Sequence, residues 1–332
     1  MTTAEFEYSL IPARALAGMK DFFPDEDSIA ARYAAFAGVA PRPGDNEGDT
    51  EVLDGVTFTH HFVDAPGDHE TVRFHYVEAG SGEPVVFLHG LPDSWYQWHH
   101  QMAALAGEYR VIGFDLKGYG QSEKSPGDYT HEGAAEQLYG ALQMIGADRF
   151  NLVTHDRGTA QADFIAANHP DAVLRYGRGE QHLYHFHGDL APQAKIFAEA
   201  PWTGVMNDRA HFVVWLYTWI TKYDLPDDEL RRTIQEFSYP GIDRAVPRYF
   251  HSSTFRQEWI QRRRRLLRQW TCPVLLIQGY ESKTQPREYY ANPKQYLPNA
   301  KDAGVVFIDA GHFWSMERPD EVTEAIRQLL KM

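Results

Sequence analysis

Two residues in this 332-residue sequence have the chemical type and the setting to do covalent chemistry: an aspartate at the end of one apolar run and a histidine at the end of another. Asn151-Leu-Val-Thr-His-Asp-Arg-Gly-Thr159 reads as a strand running straight into a helix, with Asp156 at the junction and Thr154 and Gly158 flanking it. A side chain on such a sharp strand-to-helix turn stands clear of the backbone, and the turn passes so close to its neighbours that compact flanks are needed. An Asp before a helix commonly does no more than cap it. Two other segments give this one partners. Phe87-Leu-His-Gly-Leu-Pro-Asp-Ser-Trp-Tyr-Gln-Trp98 follows a buried strand, and its His89-Gly90 turn can aim the N–H of Leu91 at the same point. With the N–H of Arg157 this makes an oxyanion hole. Val306-Phe-Ile-Asp-Ala-Gly-His-Phe-Trp-Ser-Met-Glu-Arg-Pro319 places His312 on a turn between a strand and a final helix, where it can act as a base.

The elements that must hold these groups are legible as runs. Val56 to Val63 and Thr71 to Glu78 read as an antiparallel pair around APGDHE. Pro84 to Leu88, Arg110 to Phe114, Asn151 to Thr154, Pro273 to Gln278 and Val305 to Ile308 are short and nearly all apolar, the pattern of strands buried on both faces of a parallel sheet. Helical stretches such as His131 to Ile145 and Ala160 to Asn168 alternate with them, so the fold class is α/β. The expected organisation is an N-terminal extension over 1–50, helical near Ser28 to Ala37, a sheet domain over 51–182 and 269–332, and a mostly helical lid over 183–268.

Composition removes several classes of function. A net charge of −14 argues against nucleic acid and against an anionic membrane surface as partners. The basic run Arg262 to Arg265 reads as the solvated face of a helix. Cys272 is the only cysteine, so no intrachain disulfide forms, and it opens an apolar run as a buried thiol would. The longest apolar stretch, Phe212 to Ile220, is too short for a bilayer, and the N-terminus shows no signal-peptide pattern, so a cytoplasmic protein is expected. His182, His185 and His187 have no zinc-type spacing, and neither a Walker loop nor a dinucleotide fingerprint occurs, so no metal and no cofactor are expected. The expected partner is a small-molecule substrate. A homodimer stays an open option.

At these three motifs the chain resembles the α/β-hydrolase superfamily, and in particular its epoxide hydrolases and dehalogenases with an aspartate nucleophile. The resemblance covers roughly residues 55 to 330 and is densest over HGLPDSWYQWHHQMAALAGEYRVIGFDLKGYGQSE. It implies an α/β-hydrolase fold, with a mostly parallel central sheet and an inserted helical cap. It also implies that Asp156 forms an ester with the substrate, which water activated by His312 then cleaves. A carboxylate must orient His312. Glu180, 24 residues beyond Asp156, stands where many dehalogenases carry it. Most epoxide hydrolases carry it after Pro273 to Gln278, where this chain has Ser282, with Glu281 adjacent as the alternative. Epoxide hydrolases bind the epoxide oxygen with two lid tyrosines, and the matching positions are Tyr217 and Tyr249. Leu91, Arg157 and Trp95 are the expected oxyanion-hole and substrate contacts. Dehalogenation is the alternative in the same class, with Trp215 or Trp219 as halide donors, or with Arg157 gripping a substrate carboxylate. The second Arg of that grip is replaced by Ala160. A non-catalytic binding protein on the same scaffold is the alternative of another class.

Overall fold

The computed structural model describes residues 26–67, 71–185, 208–252 and 255–332. Among the described residues nine strands form one sheet: β1 (Thr50–Leu53), β2 (Val56–Pro66), β3 (Thr71–Ala79), β4 (Pro84–Leu88), β5 (Arg110–Phe114), β6 (Phe150–His155), β7 (Val173–Gly179), β8 (Val274–Gly279) and β9 (Ala303–Ile308). Their order is β1-β2-β3-β5-β4-β6-β7-β8-β9. β1 to β3 form an antiparallel meander whose last strand pairs antiparallel with β5, and from β5 onward all neighbours are parallel. The central strands are apolar on both sides because helices cover both sheet faces, and β6 and β8 are buried along their whole length.

The helices used below are α1 (Glu26–Tyr33), α2 (His99–Leu105), α3 (His131–Met144), α4 (Asp156–Asn168), α5 (Arg209–Ile220), α6 (Asp227–Glu236), α7 (Ile242–Ser252), α8 (Phe255–Gln261), α9 (Trp314–Glu317) and α10 (Pro319–Leu330). α3 packs with α4, and α2 with α10. Chain order reverses across the sheet at β4, which lies between β5 and β6. In open α/β sheets the crevice beyond the strand ends at such a point is where ligands bind. Leu91 follows β4 and Asp156 follows β6, so both stand there.

Helices α5 to α8 are inserted between β7 and β8, and no described residue between those strands joins the sheet. Residues 186–207, part of the expected lid, and 1–25, half of the expected extension, lie outside the described residues. After α8 the chain passes through a π-helical turn, Arg262–Leu266. This corrects the expectation for the basic run. Arg264 faces solvent, but Arg262 is buried and its Nε donates to Asp163 Oδ2 at 2.5 Å. The same carboxylate holds the buried Arg178 through two hydrogen bonds, at 2.8 and 2.9 Å. Two cations on one carboxylate tie the segment returning from the insertion to α4 and β7.

The N-terminal segment crosses from the insertion to the sheet domain. α1 packs on α5, the Phe36 ring is fully buried, Arg42 donates to Glu236 of α6 at 3.1 Å, and Asp45 bonds to Gln121.

Candidate active site

Among the described residues only three other than glycine have a left-handed backbone: Asp54 in a β-turn, Asp156 (φ 45°) and Glu180 (φ 52°). Such a conformation costs about 1–3 kcal/mol and persists where the surroundings enforce it. At Asp156 those surroundings are glycines. A Cβ on Gly158 would lie 2.5 Å from the Leu88 carbonyl oxygen, and one on Gly90 would lie 2.5 Å from Asp156 Cβ. The larger Thr154 fits because its hydroxyl is absorbed locally, 2.9 Å from Thr159 Oγ1 and donating to the Gly177 carbonyl at 3.3 Å.

The bend exposes the Asp156 carboxylate and divides its two oxygens. Oδ1 accepts the N–H of Arg157 at 2.7 Å and of Leu91 at 3.3 Å. Oδ2 carries neither contact and faces His312 Nε2 across 3.8 Å. The turn that supplies the Leu91 N–H is fixed by His89, whose Nδ1 donates to the Gly90 carbonyl at 2.7 Å while Nε2 accepts from Leu116 N at 3.0 Å. Burial drives the His89 pKa down to about 4, so the ring stays neutral in that tautomer.

His312 is held from three sides. Its Nδ1 donates to Glu180 Oε2 at 2.9 Å, with Thr284 Oγ1 equally near. Its backbone N–H donates to the Ile220 carbonyl of α5 at 2.9 Å, and its own carbonyl accepts from His155 Nε2 at 2.8 Å. Burial and the charge of His312 keep the His155 ring neutral, with its pKa well below the usual value. For His312 itself burial pulls the pKa down. The charge and hydrogen bond of Glu180, helped by Asp156 and Glu317, outweigh that pull, and the net result is upward. Glu180 is fully buried, yet both of its oxygens have donors. Gln278 Nε2 (2.6 Å) and Gly279 N (3.1 Å) reach Oε1, and Ser282 Oγ (2.7 Å) joins His312 at Oε2.

Asp156, Arg157, Leu91, His312 and Glu180 line one cavity, closed from the insertion by Leu216, Trp219, Ile220 and Phe250 and floored by Gln181, His182, Thr284 and Gln285. Glu281, the alternative acid, is exposed and pairs with Lys222 at 2.6 Å. Three expected contacts are corrected. The Tyr217 hydroxyl donates to Asp93 at 2.7 Å, and its ring stacks on Phe313. The Tyr249 hydroxyl donates to the Lys117 carbonyl at 2.8 Å, and its ring stacks on His131. Neither lines the cavity. Trp95 is a fully buried core residue, edge-on to His60 and tilted against Phe58. Arg157 does line the cavity, and its guanidinium lies 3.9 Å from the centre of the Phe250 ring, with Nη1 3.1 Å from His131 Nε2.

Sequence reasoning missed Thr284, Gln278 and His155, which orient His312 and Glu180, and Gln181, His182 and Gln285 on the cavity floor. Ser282 stood out only as a departure from the epoxide hydrolase pattern. It proves to be a donor to the acid rather than its replacement.

A sequence profile of the α/β hydrolase fold matches residues 83–176. Human epoxide hydrolase 4 is 35% identical over 286 residues, which cover 78% of this chain and 76% of that protein. The chain belongs to the epoxide hydrolase and dehalogenase branch of the α/β-hydrolase superfamily. A soluble epoxide hydrolase of Corynebacterium sp. (strain C12) is 40% identical over 103 residues, so the matched stretch spans about a third of each, 31% of this chain and 36% of that one. A haloalkane dehalogenase of Agrobacterium fabrum is 31% identical over 181 residues, 53% of this chain and 60% of that one. No helix among the described residues of this α/β hydrolase is long and apolar enough to cross a membrane.

Proposed function

We propose that this chain hydrolyses small electrophilic carbon substrates, epoxides foremost, through a covalent ester on Asp156. The observation that carries this reading is the asymmetry of the Asp156 carboxylate. Oδ1 is held by two N–H groups while Oδ2 points free toward the imidazole. Oδ2 attacks the electrophilic carbon in line, and the epoxide C–O bond breaks as the C–O ester bond forms. The released alkoxide takes a proton from a donor in the cavity.

His312 then removes a proton from a water between its Nε2 and the new ester, and the hydroxide adds to the Asp156 carbonyl carbon. The negative charge that develops on Oδ1 lies where the Leu91 and Arg157 N–H groups already converge. Glu180 stabilises the imidazolium formed in this step. Collapse of the tetrahedral species expels Oδ2 with the diol, the proton of the added hydroxyl leaves with the alcohol and restores the carboxylate, and the His312 imidazolium returns its proton to the donor that protonated the alkoxide.

A specific observation also favours dehalogenation. The cavity is lined by Arg157, His182 and Trp219, while Tyr217 and Tyr249 are engaged elsewhere. N–H donors in an apolar surround suit a halide leaving group, and Arg157 suits a substrate carboxylate. Both reactions pass through the same kind of ester. The test is to trap it. His312→Gln, offered pooled epoxides, haloalkanes and haloacids, accumulates an adduct whose intact mass identifies the substrate. An epoxide adds its full mass, and a halide substrate adds its mass less the hydrogen halide. If no substrate turned over by the wild type leaves an adduct on the variant, the ester mechanism is wrong.

A further inference from the structure

Away from Asp156, three potential metal ligands converge where the N-terminal segment meets the sheet. His60 of β2 and His75 of β3 are both fully buried. His60 Nδ1 and His75 Nε2 face one another at 3.0 Å, and Asp45 Oδ2 lies 3.5 Å from His60 Nδ1. All three atoms lie within 4.8 Å of one another. Ligand atoms bound at ~2.05 Å in a tetrahedron stand about 3.4 Å apart, so a small adjustment brings this trio to coordination distance.

The outer nitrogens make the case stronger. His60 Nε2 meets Glu51 Oε1 at 3.1 Å, and His75 Nδ1 meets Asp115 Oδ2 at 2.7 Å. A carboxylate accepts, so each outer nitrogen is placed to donate its ring N–H to the carboxylate beside it. That turns the two inner nitrogens, 3.0 Å apart, toward one another and toward the Asp45 carboxylate, and the Gln121 amide, which donates to Asp45 Oδ2 at 2.8 Å and lies 3.5 Å from His75 Nε2, must turn aside for an ion to enter. A carboxylate on the far nitrogen of each imidazole is the arrangement that orients histidines as metal ligands. Three carboxylates, Asp45, Glu51 and Asp115, border the two rings, with Arg42 beside Asp45 and Arg232 paired to Glu51.

We propose that Asp45, His60 and His75 bind one divalent transition-metal ion of the zinc class. The ion pins the N-terminal segment to β2 and β3, close to the link from Arg42 to α6. Two imidazoles and a carboxylate favour zinc-like ions over magnesium or calcium. The Asp45 side chain, 15% exposed, gives the ion its route from solvent. Among the described residues the other cluster of comparable type, Asp54, His99 and His100, is built differently. His99 Nδ1 is committed to the Tyr96 carbonyl, and carboxylates occupy the nitrogens a metal would need.

The test uses the full chain, stripped with a chelator, dialysed and titrated with zinc chloride. Bound metal is read by elemental analysis, and the melting temperature is followed alongside. Cobalt(II) serves as a coloured replacement. One equivalent of metal is expected, with a rise in melting temperature and a visible cobalt band. All are lost in Asp45→Asn and His60→Gln and kept in His100→Gln. Asp45 lies at the surface edge of the cluster, so Asp45→Asn remains decisive if His60→Gln fails to fold. The proposal falls if the wild type binds well under one equivalent. It falls equally if Asp45→Asn binds as the wild type does, or if only His100→Gln loses the metal.

Discussion

Replacing Glu180 with glutamine tests the division of labour between the two proposed steps. The substitution keeps the shape of a fully buried side chain and removes its charge 2.9 Å from His312 Nδ1. The amide oxygen will stay with Gln278 Nε2 and the Gly279 N–H, which already hold Oε1. That turns the amide NH2 toward Nδ1, where it opposes an N–H and favours the tautomer with the proton on Nε2. The nitrogen facing Asp156 is then no longer a base. A buried hydrogen bond to a charged group is worth about 1.5–3 kcal/mol. At about 1.4 kcal/mol per decade this is a loss of roughly 10- to 150-fold in the hydrolytic step. Attack by Asp156 needs no proton transfer to His312, so the first step should keep most of its rate.

Rapid-quench measurements with an active epoxide should therefore show about one equivalent of ester formed quickly in Glu180→Gln, followed by slow turnover. The pH profile gives a second reading. His312 must be neutral to act, and Glu180 raises its pKa, so wild-type turnover climbs with pH through an inflection above the ordinary histidine value of about 6.5. Without the carboxylate, that inflection moves to lower pH. A variant with kcat within about threefold of wild type, no ester accumulation and an unmoved inflection would refute the role of Glu180.

The hydroxyls of Tyr217 and Tyr249 are bound outside the cavity, so their replacement by phenylalanine should affect stability more than chemistry. Tyr217→Phe leaves the buried Asp93, whose pKa burial has already pushed up to about 7, without its donor, and should cost about 1–3 kcal/mol in chemical denaturation. Turnover in each variant should stay within about tenfold of wild type, and a loss of several decades would restore the tyrosines as proton donors. Asp163→Asn strands Arg178 and Arg262 in the interior and should destabilise by about 3–5 kcal/mol. Burial raises the Asp163 carboxyl, but the two guanidiniums bring its pKa below the unfolded value of about 3.9. Its contribution is therefore full above that pH and disappears as pH falls through the lower folded value, so wild type and variant should converge in acid.

Much of the sheet was readable because strands buried on both faces are written as unbroken apolar runs. Pro84–Leu88 and Arg110–Phe114 have the bounds the sequence suggests. β1 escaped notice because Thr50–Leu53 is four residues long and turns Val52 to solvent. The place of Asp156 at a strand-to-helix bend was legible from its local setting, since a strand, a bend and a compact flank are all short-range features. The choice between Glu180 and Glu281 was not, because it depends on where the loop after β8 sends its side chains. Tyr217 sits on a helix that is apolar nearly all the way round, so nothing in its spacing says which face meets the cavity. The buried Arg262 needs a partner 99 residues earlier in the chain, and no local pattern announces it. His187, from the histidine-rich stretch, lies outside the described residues.

In the proposed mechanism the Asp156 carboxylate itself becomes an ester. A single turnover in water enriched in the heavy oxygen isotope, with enzyme in excess over substrate, reads this directly. Hydrolysis at the Asp156 carbonyl leaves the first heavy oxygen in the carboxylate, so the peptide containing residue 156 gains mass while the first product formed stays unlabelled. Heavy oxygen in that first product, with the peptide unchanged, would mean that water attacks the substrate without a covalent intermediate.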